Sequence, residues 1–139
     1  MRIEYWEDKL IEYIESRRYM PFEWGKNDCT SFCAYALEAQ SDLNFTSKFI
    51  TWTTEEEAKE KMSIFGKDLT EAVSNVAPGL GLYYCDNIKL MGRGDITIIE
   101  GPKGLTCALC IGSKLAIPGP EGLVFMRLQG YGCWKWGNK

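Results

Sequence analysis

Apolar residues recur at helical spacing through residues 3–18. Ile3, Trp6, Leu10, Tyr13 and Ile14 share one face, while Glu7, Asp8, Glu15 and Arg18 lie elsewhere. The pattern breaks at Tyr19-Met20-Pro21-Phe22-Glu23-Trp24-Gly25-Lys26-Asn27: Pro21 disfavours helix at Met20, and Gly25 permits a turn. A second helix is expected from Asn27 or Asp28, both good N-caps, to about Gln40, with Cys29, Phe32, Cys33, Ala36 and Leu37 as its apolar face. Residues 41–52 read as a loop carrying Phe45, Phe49, Ile50 and Trp52. Thr53 or Thr54 caps a third helix, with Glu55-Glu56-Glu57 in its first turn, where the helix dipole favours acids, and Gly66 ends it. A short fourth helix runs from about Asp68 to Val76.

Beyond Pro78-Gly79 the period changes. Asp95–Glu100, Leu105–Ile111, Lys114–Ile117, Leu123–Arg127 and Tyr131–Trp134 are short β-type runs separated by glycine or proline. Helices first and strands afterwards predict an α+β domain, its N-terminal helices packed on a C-terminal antiparallel β-meander. The 139 residues suit one domain spanning 1–139, with no repeat or linker.

Composition narrows the function classes. The net charge is -3 with acids and bases mixed, and no basic stripe points to nucleic acid. No apolar run is long enough to insert in a membrane. Acidic residues arrive early, so a secretory leader is not expected. Folding in a cytoplasm would keep the six cysteines as thiols. The histidine count is zero, which removes the side chain that most often moves protons near neutral pH.

The chemistry concentrates at Asp28-Cys29, where a glycine turn opens a helix. Helix N-termini and nearby cations lower a cysteine pKa from about 8.5 to between about 3.5 and 7.5. Lys26 is a candidate cation, and Asp28 pulls the other way.

Trp24-Gly25, then Asp28-Cys29-Thr30-Ser31, then Gly94-Asp95-Ile96 before a strand resemble the NlpC/P60 superfamily of papain-like cysteine peptidases and amidases. Adding the leading helix with Trp6, the turn at Pro21-Phe22 and the late Gly122-Leu123, the chain is similar to small phage and prophage proteins of that superfamily. The resemblance implies a papain-like fold with Cys29 at the nucleophile position. It also implies a histidine on the strand after Gly94-Asp95; that position falls near Ala108, in Thr106-Cys107-Ala108-Leu109-Cys110-Ile111-Gly112. An alanine cannot take a proton, and a positioned general base contributes about 10²–10⁴ in rate.

Each candidate has two readings. Cys29 is a nucleophile or a packing residue, and without histidine packing is favoured. Cys33, one turn on, is a resolving thiol or core. Asp95 is an orienter or base for Cys29, or the cap of a strand-initiating turn. Cys107 and Cys110 should point to opposite faces of a strand, which argues against a metal, and no motif calls for a cofactor. Trp24, Trp52 and Trp136 are candidate interface aromatics, Trp136 in a polar tail that would project toward a partner.

Two functions follow. The first is a non-catalytic structural or assembly protein of a phage particle, associated with the tail. It would contact other phage structural proteins or further copies of itself, in the host cytoplasm during assembly and then in the virion. The second is a cysteine peptidase or amidase that uses Cys29 on peptides or peptidoglycan stems.

Overall fold

A computed structural model describes residues 2–137. Among the described residues five α-helices precede a six-stranded sheet: α1 (Trp6–Arg17), α2 (Cys29–Ala39), α3 (Thr46–Phe49), α4 (Glu55–Ser63) and α5 (Leu69–Val76). The strands are β1 (Leu82–Cys85), β2 (Ile96–Gly101), β3 (Gly104–Cys110), β4 (Lys114–Gly119), β5 (Gly122–Arg127) and β6 (Cys133–Trp136). The protein is therefore α+β, as its pattern predicts.

The helix starts have local causes. Asp28 accepts from the Thr30 and Ser31 amides, and the Ser31 hydroxyl accepts in return from the Asp28 amide, closing a capping box. Thr54 and Asp68 accept the Glu57 and Glu71 amides at the starts of α4 and α5. The short α3 lies where the sequence predicted loop. Glu38 accepts the Phe45 and Thr46 amides and the Thr46 hydroxyl, so a carboxylate of α2 caps it from outside the segment.

The sheet is antiparallel throughout, in the order β1-β6-β2-β3-β4-β5. Strands β2 to β5 form the expected meander. Strand β6 departs from it: it turns back to sit between β1 and β2, pairing Tyr84 with Trp134 on one side and Ile96 with Trp134 on the other. Strand β1 escaped the sequence reading, and β6 begins two residues later than expected.

Alternation along the strands divides the core in two. Leu10 of α1, Phe32, Cys33, Ala36 and Leu37 of α2, and Ile96, Cys107, Leu109 and Trp134 of the sheet pack together on the helix side. Ile99, Ala108, Cys110, Leu115 and Cys133 face the other way, with Met91 and Ile88 against them. Cys107 and Cys110 thus lie on opposite faces, as their spacing requires.

Candidate functional site

Gly25 makes the turn before Cys29. Its φ is +85°, and a Cβ there would fall on the Trp52 carbonyl, so this approach of two backbones needs glycine. The turn delivers the buried Asp28 to the start of α2. One carboxylate oxygen accepts the Thr30 and Ser31 amides at 3.0 and 2.9 Å. The other accepts the Gly25 amide at 2.7 Å and the Trp52 indole N–H at 2.8 Å. Four N–H donors saturate this carboxylate without a cation.

The Trp52 ring is buried and Phe49 meets it edge-on at 5.6 Å, with Phe65 and Phe45 on the far side of Phe49. Trp52 is therefore not an interface aromatic. Its one polar atom is committed to Asp28, and its ring belongs to a cluster joining α3 to α4.

Cys29 opens α2, half-buried, with its sulfur 3.8 Å from the Thr30 hydroxyl. Burial pushes its thiol up to about 12, and the Cys107 thiol adds to the rise. The Cys107 backbone and the Thr30 hydroxyl pull down, but less. Lys26 does not supply the expected cation: its ammonium is exposed beside Glu23 at 3.8 Å. Burial also holds Cys33 well above the ordinary thiol range, with Cys107 as its nearest partner. Cys29, Cys33 and Cys107 lie together under α2, and burial keeps Cys29 and Cys33 protonated.

The strand register places the β3 residues near the expected histidine position on opposite faces. Ala108 is fully buried on the face away from α2, and Cys107 is the β3 residue that reaches Cys29. Helix and strand meet here through thiols and backbone, with no side chain suited to accept a proton.

Asp95 is not the orienter or base of Cys29. Ile96 faces the helices, so Asp95, one residue earlier, points to the opposite side of the sheet. Its carboxylate accepts Lys135 Nζ at 2.7 Å, the Gly92 amide at 2.7 Å and Arg2 Nη2 at 3.3 Å. The two cations fare differently. At Lys135 burial lowers the pKa, but the bond and charge of Asp95, with Cys133 and Tyr83, raise it on balance, whereas at Arg2 burial wins and lowers it. Lys135 is thus the stronger partner.

Asp95 instead closes the turn that starts β2 and ties the segment before α1 to β6. Replacing it by alanine should cost about 2–3 kcal/mol, because both ion pairs are partly solvated and the Gly92 amide is left unpaired. Thermal melting measures this loss. Native alkylation of Cys29 should be unchanged; faster alkylation would restore a link between Asp95 and the thiol.

Trp136 also departs from expectation. It is the last residue of β6 and only 3% exposed, its indole donating to the Gly94 carbonyl at 3.3 Å. The Gln40 amide donates to the same carbonyl, and the Arg2 guanidinium sits between the rings of Trp6 (3.6 Å) and Trp136 (5.6 Å). Asn138 and Lys139, the rest of the expected tail, lie outside the described residues. Trp24 alone keeps a partly open face, edge-on to Phe22 at 5.0 Å.

Other exposed apolar side chains lie in the segments next to that ring. Tyr19 and Met20 follow α1, where the Arg18 carbonyl accepts the Leu123 amide of β5 and the Gly119 carbonyl accepts the Phe22 amide. The Arg18 guanidinium lies over the Phe125 ring at 5.9 Å, and Tyr19, Met20, Phe22 and Phe125 are all exposed on the adjoining end of α1 and the β4–β5 hairpin. Sequence reasoning missed this surface because residues 100 positions apart build it.

A small apolar cavity of about 50 Å³ lies beside Cys33 and Cys107, between Phe49, Val73 and Leu82. A second, of about 210 Å³, lies among Ile98, Glu100, Gln129 and Tyr131. Cys29 lines neither. Among the described residues, no three acidic, cysteine or histidine side chains converge on a metal site, and no helix is long and apolar enough to cross a membrane.

The fold and site define an α+β domain in which a cysteine-led helix rests on an antiparallel sheet. The chain belongs to the family described as a domain of unknown function, DUF6950, whose model matches residues 1–135. No curated protein and no solved structure matches it.

Proposed function

We propose that this chain is a non-catalytic papain-like module of the NlpC/P60 type that works by protein–protein contact in a phage particle, at the tail. The observation that carries the non-catalytic part is the state of Cys29. Its thiol is held protonated, and the position across from it on β3 is another thiol. The virion part rests on the resemblance of the Trp24-Gly25, Asp28-Cys29 and Gly94-Asp95 motifs to small phage proteins. The exposed Tyr19, Met20, Phe22 and Phe125, on segments that pair through the backbone, are the contact surface this reading uses, since exposed apolar groups mark interaction sites.

Two measurements test it. With its pKa raised from 9.0 to about 12, Cys29 should alkylate at pH 7.5 roughly a thousandfold more slowly than an unperturbed thiol. Mass-spectrometric mapping of native protein reads this directly. Rapid labelling of Cys29 would instead favour the cysteine peptidase or amidase reading, which retains one supporting feature: the thiol at a capped helix start. For the particle, quantitative mass spectrometry of purified virions should find the chain in fixed ratio to the tail proteins. Its absence from particles would remove the structural role.

A further inference from the structure

Cys85 and Cys133 are direct partners in the antiparallel pairing of β1 with β6. Direct partners present their side chains on the same sheet face, with Cα atoms about 4.5–5.5 Å apart. A disulfide requires about 4.4–6.8 Å. Cys133 is fully buried among Ile99, Ala108 and Cys110, while Cys85 packs on that cluster from the outer strand and is half-buried. The Cys85 thiol is close enough to act on the Cys133 proton, which burial holds up to about 11. Strand β1 is an edge strand of four residues, and among the described residues its only strand partner is β6.

We infer that Cys85 and Cys133 are a disulfide-forming pair, oxidised by low-molecular-weight disulfides of the glutathione type, that staples the edge strand β1 to β6. The accessible thiol reacts first. The Cys85 thiolate attacks one sulfur of the small disulfide, forming a mixed disulfide and releasing one small thiol. Cys133 then loses its proton and attacks the Cys85 sulfur, expelling the second small thiol. Two protein thiols become one disulfide, and one small disulfide becomes two thiols, so electrons and protons balance. The other close pairing, Cys33 with Cys107, is buried on both sides beneath α2 and does not offer an entry thiol. This inference stands apart from the proposed function, because neither cysteine belongs to the group around Cys29.

The test oxidises the full native chain with excess oxidised glutathione, quenches free thiols and digests with trypsin without reduction. The cleavage sites separate the candidates, because Cys85 falls in peptide 68–89, Cys133 in 128–135, Cys29 and Cys33 in 27–48, and Cys107 and Cys110 in 104–114. The expected product is 68–89 joined to 128–135, with the other four thiols free. The melting temperature should rise by about 10 °C, since the bridge closes a long loop. A Cys85→Ala chain should show neither change. The inference is overturned if all six thiols stay free, if Cys85 stops at the mixed disulfide, or if the bridge forms within 27–48 or between 27–48 and 104–114.

Discussion

Alanine in place of Asp28 is expected to lower stability by about 3–5 kcal/mol, enough to shift thermal melting by more than ten degrees. The loss has two parts. Removing the cap from α2 leaves the Thr30 and Ser31 amides unpaired, typically about 1 kcal/mol and up to about 2. Removing the second oxygen strands the Gly25 amide and the Trp52 indole N–H in a buried site, each at about 1–3 kcal/mol. Asparagine separates the parts. Its oxygen can still cap the helix, but its amide would face the Gly25 and Trp52 donors with a donor of its own. Asp28→Asn should therefore lose about half as much as Asp28→Ala. If Asp28→Asn melts with the unmodified chain, the bonds to Gly25 and Trp52 contribute nothing, and the turn is held by packing alone.

The second large effect is expected at Trp136. Its ring is buried on the helix side of the sheet, and truncation of a buried tryptophan to alanine costs about 3–5 kcal/mol. Trp136→Phe should cost less, about 1–2 kcal/mol, because the Gly94 carbonyl keeps its bond from Gln40 and a buried aromatic ring remains. Chemical denaturation of the two variants reads both values. A tryptophan in a projecting tail would give no change in either, so this pair decides between the sequence expectation and the observed strand.

The two predictions mark where the sequence is legible and where it is not. The start of α2 is written locally: Asp28 and Ser31 are three residues apart, and both halves of the capping box lie within one turn. The helices after Thr54 and Asp68 are equally local. What Asp28 does with its other oxygen depends on Trp52, 24 residues away, and no periodicity reports that contact. Strand β6 misled for a related reason. Lys135 between Trp134 and Trp136 reads as a polar tail, yet on a strand it points away from both rings and pairs with Asp95, 40 residues earlier. Resemblance placed Cys29 correctly at a helix start. The β3 residue that faces Cys29 is Cys107, next to Ala108, and one residue along a strand is the other side of the sheet.

The placement of β6 also bears on how the chain is made. Residues 133–136 follow every other described strand in sequence, yet they fill the gap between β1 and β2. During synthesis at about 5–20 residues per second, β1 therefore waits several seconds for its strand partner β6, with Leu82 and the underside of Trp134's future site open to water. A nascent chain paused before residue 133 carries an unpaired β1 and an uncovered edge of β2. Such edges invite association with other chains, and a partner engaged at that stage would meet a surface that the finished sheet conceals.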